Sequence, residues 1–360
     1  MSITGCERVH RCLDFRAPDR APRELWTLPW VSQYARREHQ AFLNRFPDDI
    51  AQAFALARGD RCQGQPNVKG TYTDEWGSVW SVEEDGVVGE VKAPPLADWS
   101  ALDGYQPPWE VVRRGDWDAA ARTCEENRRG EKKFMRFHAS IRPFERMQFL
   151  RGSENVYLDL GEESAEFLKA LAMVHEFFLE ELDHWTRLDC DCISFFDDWG
   201  AQRGLLISPV QWRNIFKPLY REYFQRVHQA GQKVFFHSDG HILDILADLI
   251  EVGVDAINSQ LFCMDIEEVA RRFKGRVTFW GEIDRQRILP FGTPDDVYRA
   301  VARVRRALDD GSGGLIAQCE WGVRNPPENI AAVYEAWAMP LATLLAQVER
   351  FPAPAAICVH

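Results

Sequence analysis

The sequence has no apolar run approaching the ~18 residues that a membrane-spanning helix requires. Its opening, "MSITGCERVHRCLDF", carries charges where a secretory signal would carry its apolar segment, so the expected location is the cytoplasm. The nine cysteines are odd in number and widely scattered, which does not describe a disulfide framework. "CDC" (Cys190 to Cys192) is a CxC pair at the start of a strand pattern and reads as packing cysteines. Basic residues are spread without a stripe and the net charge is −12, so nucleic acid is not an expected partner. No G-x-G-x-x-G follows a first strand, which removes the main support for a dinucleotide-binding open sheet. Low-complexity segments and short repeats are also missing.

What is present is a long run of alternating elements. From about residue 134, short apolar stretches alternate with amphipathic ones. The strand patterns are "KFMRFHA", "CISFFDD", "KVFFHS", "VDAINSQ", "VTFWGEID" and "GLIAQCEWG". Between them lie helical patterns such as "ESAEFLKALAMVHEFFLEELDHWTRL" and "SPVQWRNIFKPLYREYFQRVHQAG", where Pro218 is a candidate kink. Nearly all-apolar strands separated by helices imply a parallel sheet covered by helices. At least six such units, with an early strand from "RELWTLPW", suit a (β/α)₈ barrel built from residues 1–360 as one domain. Residues 65–110 depart from this pattern. Aromatic and β-branched residues there alternate with "EDG" and "APP" turns, predicting a hairpin and a Pro-rich connection able to cover one mouth.

In a barrel of this kind the active site forms where strands end at their C-terminal side. Reading each strand at its last residues gives Asp197 and Asp198, His237 and Asp239, Asn258 and Gln260, Glu282 and Asp284, and Cys319 and Glu320. His138 falls at the same end. Polar strand ends are ordinary, because the loops that follow face water. Histidine, cysteine and glutamate after strong apolar runs are also good zinc ligands, and three of them with an open position is the usual catalytic arrangement. The expected ligands are His237 and Cys319, with Asp239 and Glu282 to complete the set; His241, in the next helix turn, is the weaker candidate. Asp197 and Asp198 form a candidate acid pair, one of which has the alternative of bonding backbone amides.

These segments also carry a family likeness. "DDWGAQRGLLISPVQWRNIFKPLYR", "KVFFHSDGHILDILADLIEVGVDAINSQ", "FWGEIDRQRILPFGTP" and "GGLIAQCEWGVRNPPENIAAVYEAW" resemble the uroporphyrinogen decarboxylase superfamily. Within it they are most similar to the zinc- and corrinoid-dependent methyltransferases. "ERVHRCLDFRAPDRAP" and "DEWGSVW…GEVKAPPLADW" extend the likeness over nearly the whole chain. The resemblance implies a distorted (β/α)₈ barrel. The arginine-rich "RQAGR"-type stretch of the decarboxylases is missing, and "CEWGVRNPPENI" stands where they carry Gly-His-Gly, which disfavours porphyrinogen chemistry. Coenzyme M methyltransferases of the family carry His-x-Cys at one strand end and Cys at a later one. The matching positions resemble His237, Asp239 and Cys319, and aspartate at 239 is a departure that disfavours a thiol substrate.

The resulting expectation is a zinc enzyme that moves a methyl group from a methoxylated small molecule, such as an aryl methyl ether, to cobalamin on a separate corrinoid protein. Asp197, Asp198 or Glu320 would supply a proton to the leaving oxygen, and His138, Trp199, Arg203, Phe236, Trp280 and Trp321 would contact substrate. Two alternatives stand beside it. One is a cofactor-free decarboxylase using Asp197 or Asp198 with a cationic clamp from Arg203 or Arg142. The other is a non-catalytic protein that binds metal or a corrinoid partner. The methyl donor and the oligomeric state, a homodimer included, are left open.

Overall fold

The structure, a computed structural model, describes residues 3–352. Its strands are β1 (Arg23–Thr27), β2 (Ile50–Ala53), β3 (Gly70–Thr73), β4 (Val79–Val82), β5 (Glu90–Ala93), β6 (Phe134–His138), β7 (Cys192–Phe196), β8 (Lys233–Ser238), β9 (Ala256–Ser259), β10 (Thr278–Trp280) and β11 (Leu315–Trp321). Eight of them form one parallel sheet in the order β1-β11-β10-β9-β8-β7-β6-β2. The curl brings β1 beside β2, and the seam is closed by acid side chains and one backbone bond. Asp49 N donates to Arg23 O, Asp49 Oδ2 accepts from Arg23 N, and Asp48 Oδ1 accepts from Leu25 N. This is the distorted (β/α)₈ barrel that the alternation predicts. β2, from "DDIAQA", is the strand that sequence reading did not find; it has only four residues.

Strand side chains alternate between the barrel interior and the helical layer. Inside, Ile50, Phe134, Cys192, Phe235, Ala256 and Ile316 pack against Val9, Cys12 and Leu13 of the Gly5–Leu13 helix, which plugs the base. Above them lies a buried polar layer. Arg136 donates to Glu24 at 2.7 Å and to Ser194 Oγ at 2.8 Å, and the Trp280 indole donates to Glu24 at 2.7 Å. A fully buried pair of this kind is satisfied only as a set, because removing one partner strands the other.

β3, β4 and β5 form a separate antiparallel sheet, the predicted excursion. Asp74 organises it, accepting from the amides of Trp76 and Ser78, the Trp80 indole and Arg146. The Trp80 ring packs on Phe149 and the Trp76 ring on Phe177, seating the sheet on the helices Pro143–Arg151 and Ala165–Trp185. Its far loop reaches the barrel mouth: Gly86 O accepts from Trp30 N, and Glu84 pairs with Arg324. In the helix that follows β7, a π-helical turn at Trp212–Phe216 precedes Pro218. Proline has no amide to donate and breaks the ordinary ladder there. Among the described residues no helix is long and apolar enough to cross a membrane.

Candidate metal centre

Two loops converge at the mouth, "DDWG" after β7 and "SDGH" after β8. They meet backbone to backbone at Gly200 and Gly240. A Cβ on Gly240 would lie 2.2 Å from Gly200 O, and its φ of 76° is one that glycine adopts freely. Gly200 N donates to Asp239 O, and His241 N to Ala201 O. This contact sets the carboxylates before and after the barrel's edge side by side. Asp239 N donates to Asp198 Oδ1 at 2.8 Å.

The result is a cluster of Asp198, His237 and Asp239, with one ligand atom from each within 4.8 Å of the others. His237 Nε2 lies 3.5 Å from Asp198 Oδ1 and 3.4 Å from Asp239 Oδ1. The other ring nitrogen fixes the protonation pattern. Asn258 Nδ2 points at the Trp280 carbonyl and, at 3.0 Å, at Gln318 Oε1, so its Oδ1 must face His237. His237 Nδ1 therefore donates to Asn258 Oδ1 at 2.6 Å, so in the neutral imidazole it is Nε2 that carries the lone pair and faces two carboxylate oxygens. Asp239 Oδ1 is buried there without a hydrogen-bond partner.

With the imidazole neutral, three acceptors face one another and repel unless a cation lies between them. The separations exceed the 2.7–3.2 Å of ordinary N–H···O bonds. They match the spacing of about 3.4 Å between N and O ligands on a tetrahedral ion with ligand bonds of about 2.1 Å. The residues present thus fit a divalent metal, with His237 bonded to Asn258 as the usual support for a ligating imidazole. One imidazole and two carboxylates make a harder site than one containing thiolate. Burial raises Asp198 above the usual carboxylate range, opposed by His237 beside it.

Cys319 does not join this cluster. In β11 the interior positions are Ile316, Gln318 and Glu320, whereas Leu315, Ala317, Cys319 and Trp321 face the helices. The Cys319 thiol is 0% exposed and lies 4.0 Å from the Tyr334 hydroxyl. Period two puts it on the wrong side of its strand for a role at the mouth. Glu282 also stands apart from the three ligand atoms. It faces Arg285 at 3.6 Å, and burial holds its carboxyl well above the usual range. Arg285 is the hub on this side, pairing with Asp239, with Glu320 at 3.2 Å and with Glu282. Those charges, against the opposing cost of burial, raise its own pKa further. His241 starts no ligand contact; its Nδ1 is buried without a partner.

Asp197 and Asp198 take different places. Asp197 is fully buried and accepts from Phe144 N at 3.0 Å, Glu145 N at 2.8 Å and the Tyr220 hydroxyl. It caps the Pro143–Arg151 helix, where burial pushes it up to about 7 despite these bonds. Trp199, Phe236 and Trp321 belong to the outer core, stacked or edge-on against Phe144, Tyr220 and Phe42. Trp280 fills the barrel interior against Phe235 and Trp26. None of the four is positioned to stack on substrate. His138 is at the mouth, stacked on Phe196 with centroids 4.0 Å apart; burial lowers its pKa well below the ordinary value. Phe196 and Trp26, with centroids 5.3 and 5.4 Å from that of His237, are the aromatics that flank the cluster. Sequence reading passed over both, although each sits at an inward position of its strand. Next to the cluster, across Arg285, a cavity of about 530 Å³ is lined by Gln202, Arg203, Gln260, Phe262, Glu282 and Arg287, among others.

This mouth-centred site on an eight-stranded parallel barrel is that of a TIM-barrel protein. A family model described as uroporphyrinogen decarboxylase matches residues 82–338, more than half of the chain, and the chain belongs to that family. Among solved structures, a methyltransferase from Methanosarcina mazei is similar in fold with a TM-score of 0.69. It is 14% identical, and the match covers 93% of this chain and 98% of that one. An endo-β-1,4-xylanase from Gloeophyllum trabeum follows at a TM-score of 0.44 and 10% identity, covering 89% and 98%. Comparison with curated proteins finds no match.

Proposed function

We propose that this chain is a zinc-dependent methyltransferase that passes the methyl group of a methoxylated small molecule to cobalamin carried by a separate corrinoid protein. The observation that carries the reading is the Asp198–His237–Asp239 cluster, with an imidazole lone pair and a partnerless carboxylate oxygen facing one point. The family, and the methyltransferase among its similar folds, support the same direction. Bound there, zinc would supply Lewis acidity toward the donor's ether oxygen.

The protein's own groups do the rest. Asp198, His237 and Asp239 fix one point of the mouth, and Arg285 neutralises Asp239 from its other oxygen. Glu282 lines the adjoining cavity, where burial favours its protonated form and Arg285 opposes it, and it is the group placed to give a proton to the departing oxygen. Glu320 is paired with Arg285 and is the less available donor. Phe196, Trp26 and His138 form the apolar wall that orients the methyl carbon and keeps water from it. Arg203 lines the cavity and holds polar groups of the donor.

The assay mixes the zinc-loaded protein, cob(I)alamin and a panel of methoxylated aromatic and aliphatic donors. Methylcobalamin formation is followed by its absorbance; it is abolished when the protein is chelated beforehand and restored by zinc. Release of CO₂ from a carboxylated substrate by the metal-free protein, with no methylcobalamin formed, would replace this reading with the decarboxylase one.

A further inference from the structure

A second set of ligand-type residues lies at the opposite end of the barrel. Cys6 and His10 are four residues apart on the N-terminal helix, so their side chains share one face. Asp191, the middle residue of the "CDC" stretch, meets them from the loop before β7. One ligand atom from each of the three lies within 4.8 Å of the others. Cys6 Sγ and His10 Nε2 both hydrogen-bond Asp191 Oδ1, at 3.5 and 3.1 Å, so all three ligand atoms converge on one point.

Each of the three is held in place from behind. Gly5 lets the helix press onto the chain entering β2, since a Cβ there would lie 2.9 Å from Asp49 O. Cys6 N donates to Lys132 O at 2.9 Å. The His10 ring stands edge-on to Phe134, with centroids 5.1 Å apart. Asp191 is flanked by two buried cysteines and accepts from Met135 N through Oδ2 at 2.7 Å, leaving Oδ1 for the cluster. Arg128, whose charge reaches Cys6, is itself paired with Asp189. The cluster is open to solvent on one side: the His10 side chain is 35% exposed.

We propose that Cys6, His10 and Asp191 form a second transition-metal site of the zinc class, which staples the N-terminal helix to the base of the barrel. Thiolate, imidazole and carboxylate together are zinc donors, with the fourth position open to water. Binding replaces the His10 Nε2–Asp191 Oδ1 hydrogen bond, releases the Cys6 thiol proton to solvent and leaves His10 neutral with its proton on Nδ1 and Nε2 ligating. This site is independent of the reading of the mouth, and it differs in one measurable way. The mouth offers only nitrogen and oxygen, whereas this site offers sulfur.

Cobalt(II) substitution separates the two. The whole chain is loaded with cobalt(II), and metal content and the near-ultraviolet thiolate-to-cobalt charge-transfer band are measured. The expected wild-type result is two ions per chain and the band. Cys6→Ser and His10→Gln each reduce the count to one, and Cys6→Ser removes the band. His237→Ala reduces the count to one and keeps it. A wild-type protein with one ion and the band supports the basal site and removes the mouth site. No band in the wild type, or a band that survives Cys6→Ser in a variant with native circular dichroism, overturns the proposal.

Discussion

Asn258 is the residue through which the metal reading is most exposed to test. Its Oδ1 fixes the His237 tautomer through a 2.6 Å bond, and its Nδ2 holds the Trp280 carbonyl and Gln318. Asn258→Ala leaves Asp198, His237 and Asp239 in the chain and removes only the support behind His237. Loss of such a support costs 10- to 100-fold in metal affinity, or about 1.4–2.7 kcal/mol. The two abandoned acceptors add roughly 1–3 kcal/mol each in stability, so the variant melts lower. Zinc affinity is therefore titrated against a competing chelator well below the melt, with circular dichroism confirming the fold. Nitrogen-15 shifts of the apo proteins supply the second readout. The wild type shows the His237 proton on Nδ1, and the variant shows a mixture of tautomers. A folded Asn258→Ala protein that binds zinc within twofold of the wild type would refute the reasoning from tautomer to metal.

Three further outcomes are expected. Cys319→Ala leaves zinc content at the mouth unchanged and lowers stability by about 1–3 kcal/mol, because the thiol packs beside Tyr334 rather than facing the cluster; metal analysis and denaturant melts check both halves. Arg285→Met leaves Asp239 and Glu320 without their shared cation and costs about 3–5 kcal/mol at pH 8. The loss is smaller at pH 5, where the stranded acids take up protons; equal losses at both pH values would contradict it. Asp48 at the β1–β2 seam is pushed from 3.8 to about 7 by burial and by Glu24 nearby. A raised carboxyl stabilises the fold fully below its unfolded pKa, and that contribution is lost as pH rises from about 4 to 7. Asp48→Asn should flatten this part of the pH–stability curve, and an unchanged slope in thermal melts would count against the assignment.

The barrel was legible because its strands are apolar on both faces and its helices carry caps such as Ser208 and Thr293. The short β2 gave too few residues for a pattern. At the site, reading strand ends located the rim but not the side. His237 and Asp239 meet at the mouth because one is inward and the other follows the strand end. Cys319 was drawn in by residue type, although its neighbours Gln318 and Glu320 already marked the inward parity of β11. The same parity places Trp26 and Phe196 inside and Phe236 and Trp321 outside. The sequence alone marks Asp198 as an acid; its meeting with Asp239 and His237 depends on the contact of Gly200 with Gly240, a tertiary event. The signal was an aspartate within two residues of a glycine in each loop, Asp198 before Gly200 in "DDWG" and Asp239 directly before Gly240 in "SDG".

The central claim is that a metal sits among Asp198, His237 and Asp239. Anomalous diffraction at the zinc edge, from crystals of zinc-loaded protein, tests it most directly. The account predicts a peak within ligand distance of His237 Nε2, Asp239 Oδ1 and an Asp198 oxygen. A peak bound to Cys319 Sγ, or a mouth without any peak in zinc-loaded crystals, would contradict it.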